Sequence, residues 1–269
     1  MNTPVFDAAP GGPPCGLPSG LPSGLPSGYW QDLATTDFAR IDPARTIALL
    51  PVAAIEQHGP HLPLATDALI NQGVVAQALQ RLPPSASVLV LPALTIGDSL
   101  EHTAFPGTLS ADLHDLLGLW LAVGRSVARS GVKKLVLFNS HGGQRAHVDL
   151  AALRLRVSHG LLVVRAHSFS FGVPPGLFEA DELAHGLHGG AVETSLVMHL
   201  RPDLVRTTQL ADFPSLGAAL AQPVTGYSAV YHLEMLLLFI TLVAIGPLVG
   251  RRNVLTPTPR KFGLAELPG

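Results

Sequence analysis

Four short apolar runs, each separated from the next by a helix-length segment, constrain this chain more than any other feature. Thr46–Ile55, Ser87–Leu91, Lys134–Phe138 and Leu161–Arg165 have strand length and little polar character. Strands that are apolar throughout must be covered on both faces. The intervening segments carry helix signals. Asp67 to about Leu82 is stopped by Pro83-Pro84. Ser110 is the expected N-cap of a helix reaching Ser130, with Gly131 just past its end. Gln144 to about Ser158 and Gly190 to about Leu200 complete the set, the last ended by Arg201-Pro202. Strands alternating with helices predict a parallel sheet covered on both faces. In such sheets ligands bind outside the carboxyl ends of the strands.

Two histidine-bearing motifs fall at those ends. The first is Glu56-Gln57-His58-Gly59-Pro60-His61, with Asp67 downstream. In an extended segment residues i and i+2 point the same way, so Glu56 and His58 face one pocket and Gln57 faces away. Gly59 and Pro60 turn the chain, and Asp67, at the head of the next helix, can return its carboxylate to the same place. A carboxylate bridges two cations because each oxygen can bind one; two metals roughly 3.5–4 Å apart can hold a hydroxide and polarise a carbonyl. Taken alone, Glu-x-His also fits a loop with polar residues at its end.

The second motif, Asn139-Ser-His-Gly-Gly143, follows an apolar strand. Gly142 and Gly143 permit tight turning and close backbone approach beside His141. A phosphate loop would have a following lysine, which is missing. A third signal is His188-Gly-Gly-Ala-Val-Glu193. Glu193 either ligates a metal or favours its helix N-terminus through the dipole. His188 suits proton transfer, since an imidazole titrates near neutrality.

Composition narrows the chemistry. The single cysteine, Cys15, excludes a disulfide framework and a cysteine-based zinc site, so His, Asp and Glu must hold any metal. A net charge of −2 leaves no basic excess for phosphates, so nucleic-acid binding is not expected.

Together these signals resemble the creatininase (creatinine amidohydrolase) family. The run from Leu50 to Asp67 resembles its first motif; Glu101-His102-Thr-Ala-Phe-Pro-Gly-Thr108, Asn139 to Gln144, and His188 to Ser195 resemble its later motifs in order. The resemblance covers roughly Tyr29 to Phe213. It implies a three-layer α/β/α fold with a mostly parallel sheet, a centre of two divalent metal ions (zinc, manganese or iron), and hydrolysis of a C–N bond by a metal-bound hydroxide. By matching positions, Glu56, Asp67 and His141 would bind one metal, and His58 and Asp67 the other. His188 would deliver a proton to the leaving nitrogen. Glu101, His102 and His61 would line the substrate pocket. A cytoplasmic homo-oligomer is expected.

The sequence departs from the creatinine-hydrolysing members. They carry a glutamate, a ligand of the second metal, where this chain has Gly143; a tryptophan at Ala184; and an acidic residue at Leu187. Glu193 is the expected substitute ligand, as in the Gly-Gly branch that includes mycofactocin-precursor-peptidase-like members. Creatinine is therefore not the expected substrate. A small-molecule amide or cyclic amide is, with a short peptide precursor as the alternative. A second alternative is an inactive member, motivated by the unfamiliar stretch after Phe213.

The chain divides into a Pro/Gly-rich tail (1–28, with Gly-Leu-Pro-Ser repeated three times), a hydrolase domain (29–213) and an apolar C-terminal segment (214–269). Such a tail is expected to be disordered. Met235–Gly250 has no charged residue, but its 16 residues fall short of the roughly 18–20 that span a bilayer. Membrane contact is not expected.

Overall fold

The computed structural model describes Leu25 and residues 28–210 except Pro84 and Leu187. Four parallel strands, β1 (Ile47–Val52), β2 (Val88–Val90), β3 (Lys134–Asn139) and β4 (Leu162–His167), form one sheet in the order β2-β1-β3-β4. Ile47 lies opposite Val88 on one side and Lys134 on the other, and Lys134 opposite Leu162.

Both faces of β1, β2 and β3 are covered, as fully apolar strands require, whereas the edge strand β4 leaves Leu162 and Val164 exposed among the described residues. Ala48, Leu50 and Val52 of β1, with Leu135 and Leu137 of β3, pack on Leu116, Trp120 and Val127 of helix α2 (Leu113–Arg129) and Val148 and Leu155 of α3 (Arg145–His159). The alternate residues Ile47, Leu49, Val88, Val90 and Phe138 pack on Val75 and Leu79 of α1 (Thr66–Arg81). Helix α5 (Ala191–Leu200) packs on α1 through Val197 and Ile70. The result is the expected three-layer α/β/α fold. Gly124 marks the closest approach of α2 to α3: a Cβ there would stand 2.5 Å from Leu155 Cδ2.

The helices begin and end near the expected places, with one exception. Helix α2 starts at Leu113 with Asp112 at its N-cap, not at Ser110. Ser110 stays extended beside Gly97, and its hydroxyl accepts the Ser99 N–H at 2.9 Å. A short helix, α4 (Ala180–His185), was not anticipated; it buries no residue, so it leaves no apolar period in the sequence. Of the expected tail, only Leu25 and Gly28 are described. Leu25 is buried in the core, and the Gly28 carbonyl accepts the Val90 N–H at 2.8 Å. The segment 214–269 lies outside the described residues, Met235–Gly250 included.

The connection after β1 steps to β2 through α1, whereas the connection after β3 steps the other way to β4 through α3. The chain therefore reverses direction across the sheet between β1 and β3, where open α/β sheets form their crevice. Asn71 of α1 closes the base of that crevice. Its amide lies 3.2 Å from the Val52 carbonyl, 3.1 Å from that of Phe138 and 2.9 Å from the Ser140 hydroxyl. Removing this donor takes one partner from the Phe138 carbonyl and the Ser140 hydroxyl, while the Val52 carbonyl keeps the Ser140 N–H at 3.1 Å. Asn71→Leu should lower stability by about 2 kcal/mol, seen as a lower urea midpoint at unchanged slope; an unchanged midpoint would refute this role for Asn71.

Candidate metal centre

Past Val52 the chain leaves the sheet but stays pinned: Ala53 N–H bonds Leu94 O at 3.0 Å, Leu109 N–H bonds Ile55 O at 2.9 Å, and Glu56 N–H bonds Leu64 O at 2.9 Å. Glu56 and His58 follow, both buried. Asp67 sits in the first turn of α1 and is 3% exposed. There the helix dipole favours its negative charge. His141 leaves the end of β3. Its loop is held by Asn139, whose Oδ1 accepts the His141 N–H at 3.0 Å and the Gln144 amide at 2.8 Å, and whose Nδ2 donates to the His141 carbonyl at 2.7 Å.

These elements bring five of the expected residues together. His58 Nε2 is 3.3 Å from Asp67 Oδ1 and 3.9 Å from Glu193 Oε2. His141 Nδ1 is 3.2 Å from Asp67 Oδ2 and 3.3 Å from Glu56 Oε1. Each oxygen of Asp67 thus faces a different imidazole. Atoms held about 2.1 Å from one tetrahedral ion lie roughly 3.4 Å from each other, so these spacings fit metal ligands. Glu56 Oε2, His58 Nε2 and Asp67 Oδ2 are buried, and none closes a hydrogen bond. Orphaned polar atoms at that depth are costly unless a cation completes them. Ligand atoms of Glu56, His58 and Asp67 gather within 4.8 Å of one another, as do those of His58, His188 and Glu193. Each histidine is oriented by a main-chain carbonyl, His58 Nδ1 on Glu56 O at 3.0 Å and His141 Nε2 on Asp98 O at 2.7 Å, leaving the other nitrogen for a metal.

His188 stacks between His58 and His102, with ring centroids 4.2 and 4.3 Å away. Its Nε2 donates to the Gln57 carbonyl, and its Nδ1 lies 3.6 Å from Glu56 Oε1. His102 is buried beside this stack, with Nε2 3.8 Å from Glu56 Oε1. Gln57 does not face away. Its Nε2 lies 3.0 Å from His102 Nδ1 and 3.1 Å from His188 Nε2. The two-residue alternation fails because the ladder ends at Val52. His61 is buried, with Nε2 2.9 Å from the Thr194 hydroxyl, where it ties the first motif to α5 next to Glu193. Glu101 is exposed, and its Oε1 lies 2.8 Å from where a Cβ on Gly143 would stand. Close approach therefore explains Gly143 but not Gly142, around which the space is open.

Without metal the charges balance through protons. Burial opposes a charge on His141, but the Asp67 and Glu56 carboxylates outweigh it and raise its pKa to about 10. Burial likewise opposes a charge on His58, and Asp67 and Glu193 raise it to about 9. Burial lifts Glu193 to about 7, with His58 opposing. Burial and the charges of His58 and His102 push His188 down to about 4. Despite burial, His141 and His58 hold Asp67 below its usual range, and His141 does the same for Glu56.

A model of the creatininase family, described as creatinine amidohydrolase, matches residues 31–234. The chain belongs to the creatininase family. It is 34% identical over 181 residues to the mycofactocin precursor peptide peptidase of Mycolicibacterium smegmatis, covering 66% of this chain and 67% of that one. It is 32% identical over 192 residues to the creatinine amidohydrolase of Pseudomonas putida, covering 65% and 72%. A solved creatininase variant of Zn–Zn type superposes with a TM-score of 0.60 at 31% identity, over 70% of this chain and 78% of that one. This creatininase-family chain is an amidohydrolase, an enzyme acting on C–N bonds. Among the described residues no helix is long and apolar enough to cross a membrane.

Metal must displace the protons held by His58 and His141. Their raised pKa values mean that at pH 7 both are protonated in the metal-free protein. Loading should release about two protons per centre, and affinity should rise with pH until the folded pKa values are passed. Calorimetry in buffers of different ionisation enthalpy measures this; pH-independent loading without proton release would contradict it.

Proposed function

We propose that this chain hydrolyses a C–N amide or cyclic amide bond at a centre of two divalent metal ions. Glu56, Asp67 and His141 would hold one ion; His58, Asp67 and Glu193 the other, with Asp67 between them. The observation that carries this reading is the division of the Asp67 carboxylate, Oδ1 toward His58 and Oδ2 toward His141. When bound, the ions supply Lewis acidity that activates water and polarises the scissile carbonyl. Zinc, manganese and iron all suit a nitrogen and oxygen donor set.

The protein's own contribution is orientation and proton movement. His188 Nδ1 is the atom for the proton. It faces the cluster while Nε2 is anchored on the Gln57 carbonyl. Its lowered pKa leaves it neutral at pH 7, able to take a proton from the attacking water. It then returns that proton to the departing nitrogen. The Gln57 main-chain carbonyl holds the His188 ring by accepting its Nε2–H, and His102, to which the Gln57 amide donates, stacks on it.

Two replacements bear on the substrate. Gly143 and Ala184 stand where creatinine-hydrolysing members carry a glutamate and a tryptophan, and Ala184 is exposed on α4. Together with the likeness to the mycobacterial peptidase, this supports a short peptide as the second reading beside a small amide. The cytoplasmic homo-oligomer expected from the family belongs to the same proposal.

Asp67→Ala should abolish hydrolysis and lower bound metal, measured by elemental analysis alongside an assay panel of small amides, imides and short peptides. Full activity with two metals per chain in that variant would overturn the assignment. Glu193→Gln should lose one metal in preference to the other; unchanged stoichiometry would remove Glu193 from the ligand set.

A further inference from the structure

Asp98 uses three acceptors in three directions. Its main-chain carbonyl accepts the His141 Nε2–H at 2.7 Å. Its carboxylate turns away from the cluster. Oδ2 lies 2.8 Å from His147 Nε2, and Oδ1 accepts the Leu100 N–H at 3.2 Å. His147 belongs to the first turns of α3, the helix that follows the His141 loop. The next residue, Val148, is buried in the core with Ala151 and Leu155, so His147 projects from a firmly packed base.

We propose that His147 and Asp98 form a strap that positions His141 for metal binding. This rests on the assignment of His141 as a ligand. An imidazole coordinating through Nδ1 must carry its proton on Nε2, and a fixed acceptor there sets that tautomer and the ring's orientation. The acceptor is a carbonyl in the loop between β2 and α2, four residues past Leu94, where that loop pairs with the end of β1. Two bonds fasten the stretch around it, Ser99 N–H to the Ser110 hydroxyl and Ala111 N–H to Gly97 O. The strap adds a side-chain anchor from α3 to the very residue whose carbonyl is used. His147 Nδ1 is buried without a partner. An imidazole half of whose bonding capacity goes unmet is a costly residue for mere filling, and its one bond is the one to Asp98.

Three variants test the strap, with zinc affinity measured by competition against a chromophoric chelator. His147→Phe fills the space without a donor and should weaken zinc binding about 10-fold. Asp98→Ala keeps the carbonyl but cuts the strap, and should lose a similar factor. His147→Gln carries an amide donor near the Nε2 position and should stay within about threefold of wild type. Melting temperatures taken in parallel separate a lost fold from a lost ligand geometry. Long-range nitrogen-15 spectra report the His141 tautomer, which a filling residue would leave unchanged. If His147→Phe does not fold, Asp98→Ala decides alone. Wild-type zinc affinity in the variants that cut the strap, or an equal loss in His147→Gln, overturns the strap and leaves the metal centre standing. A wild-type protein that takes up no zinc, manganese or iron overturns both.

Discussion

A carboxylate taken out of water is tolerated only where positive charge meets it on every open side. Asp67 is such a group, and much of the fold is organised around that demand. The N-terminus of α1 brings partial positive charge to it. His58 arrives from beyond β1 and His141 from beyond β3, each to a different oxygen. One helical turn further on, Asn71 ties α1 to the ends of both strands. Thr194, bonded to His61, seats the helix that carries Glu193. Protons or metal cations can satisfy the same pocket, which is why stability and metal loading are linked here.

The layers were legible in the sequence because β1, β2 and β3 are largely buried on both faces; the edge strand β4 is equally apolar in sequence yet leaves Leu162 and Val164 exposed. Runs such as Ala48–Val52 and Leu135–Phe138 leave no polar residue to suggest any other packing. The helices were legible through their stops, Pro83-Pro84 and Gly131 among them. Ser110 was misread because a hydroxyl that caps a helix and one that ties two loop strands look alike in sequence. Helix α4 was silent because it buries nothing.

In the site, Glu56, His58, Asp67, His141 and Glu193 could be singled out as candidate ligands because their order resembles a known family. The residues that hold them could not. Gln57 lies inside the first motif, but its direction depends on where the ladder stops. Asn139 and Gln144 flank His141 and build its loop, yet an amide next to a histidine has no signature of its own. Asp98 acts partly through its main chain, which no side-chain pattern records. His61 belongs to the motif, and its bond to Thr194 across to α5 is a contact that no sequence pattern records.

The space at Gly143 has a further meaning. A Cβ there would collide with the Glu101 carboxylate and with the His141 ring, each at 2.8 Å. The creatinine-hydrolysing members carry a glutamate at this position, so the two branches cannot be exchanged by that substitution alone. Glu101 is exposed and its carboxylate can swing aside, but the His141 ring is held by the Asp98 carbonyl and has to shift before residue 143 can grow. The present setting of the His141 ring and a side chain at position 143 are therefore alternatives.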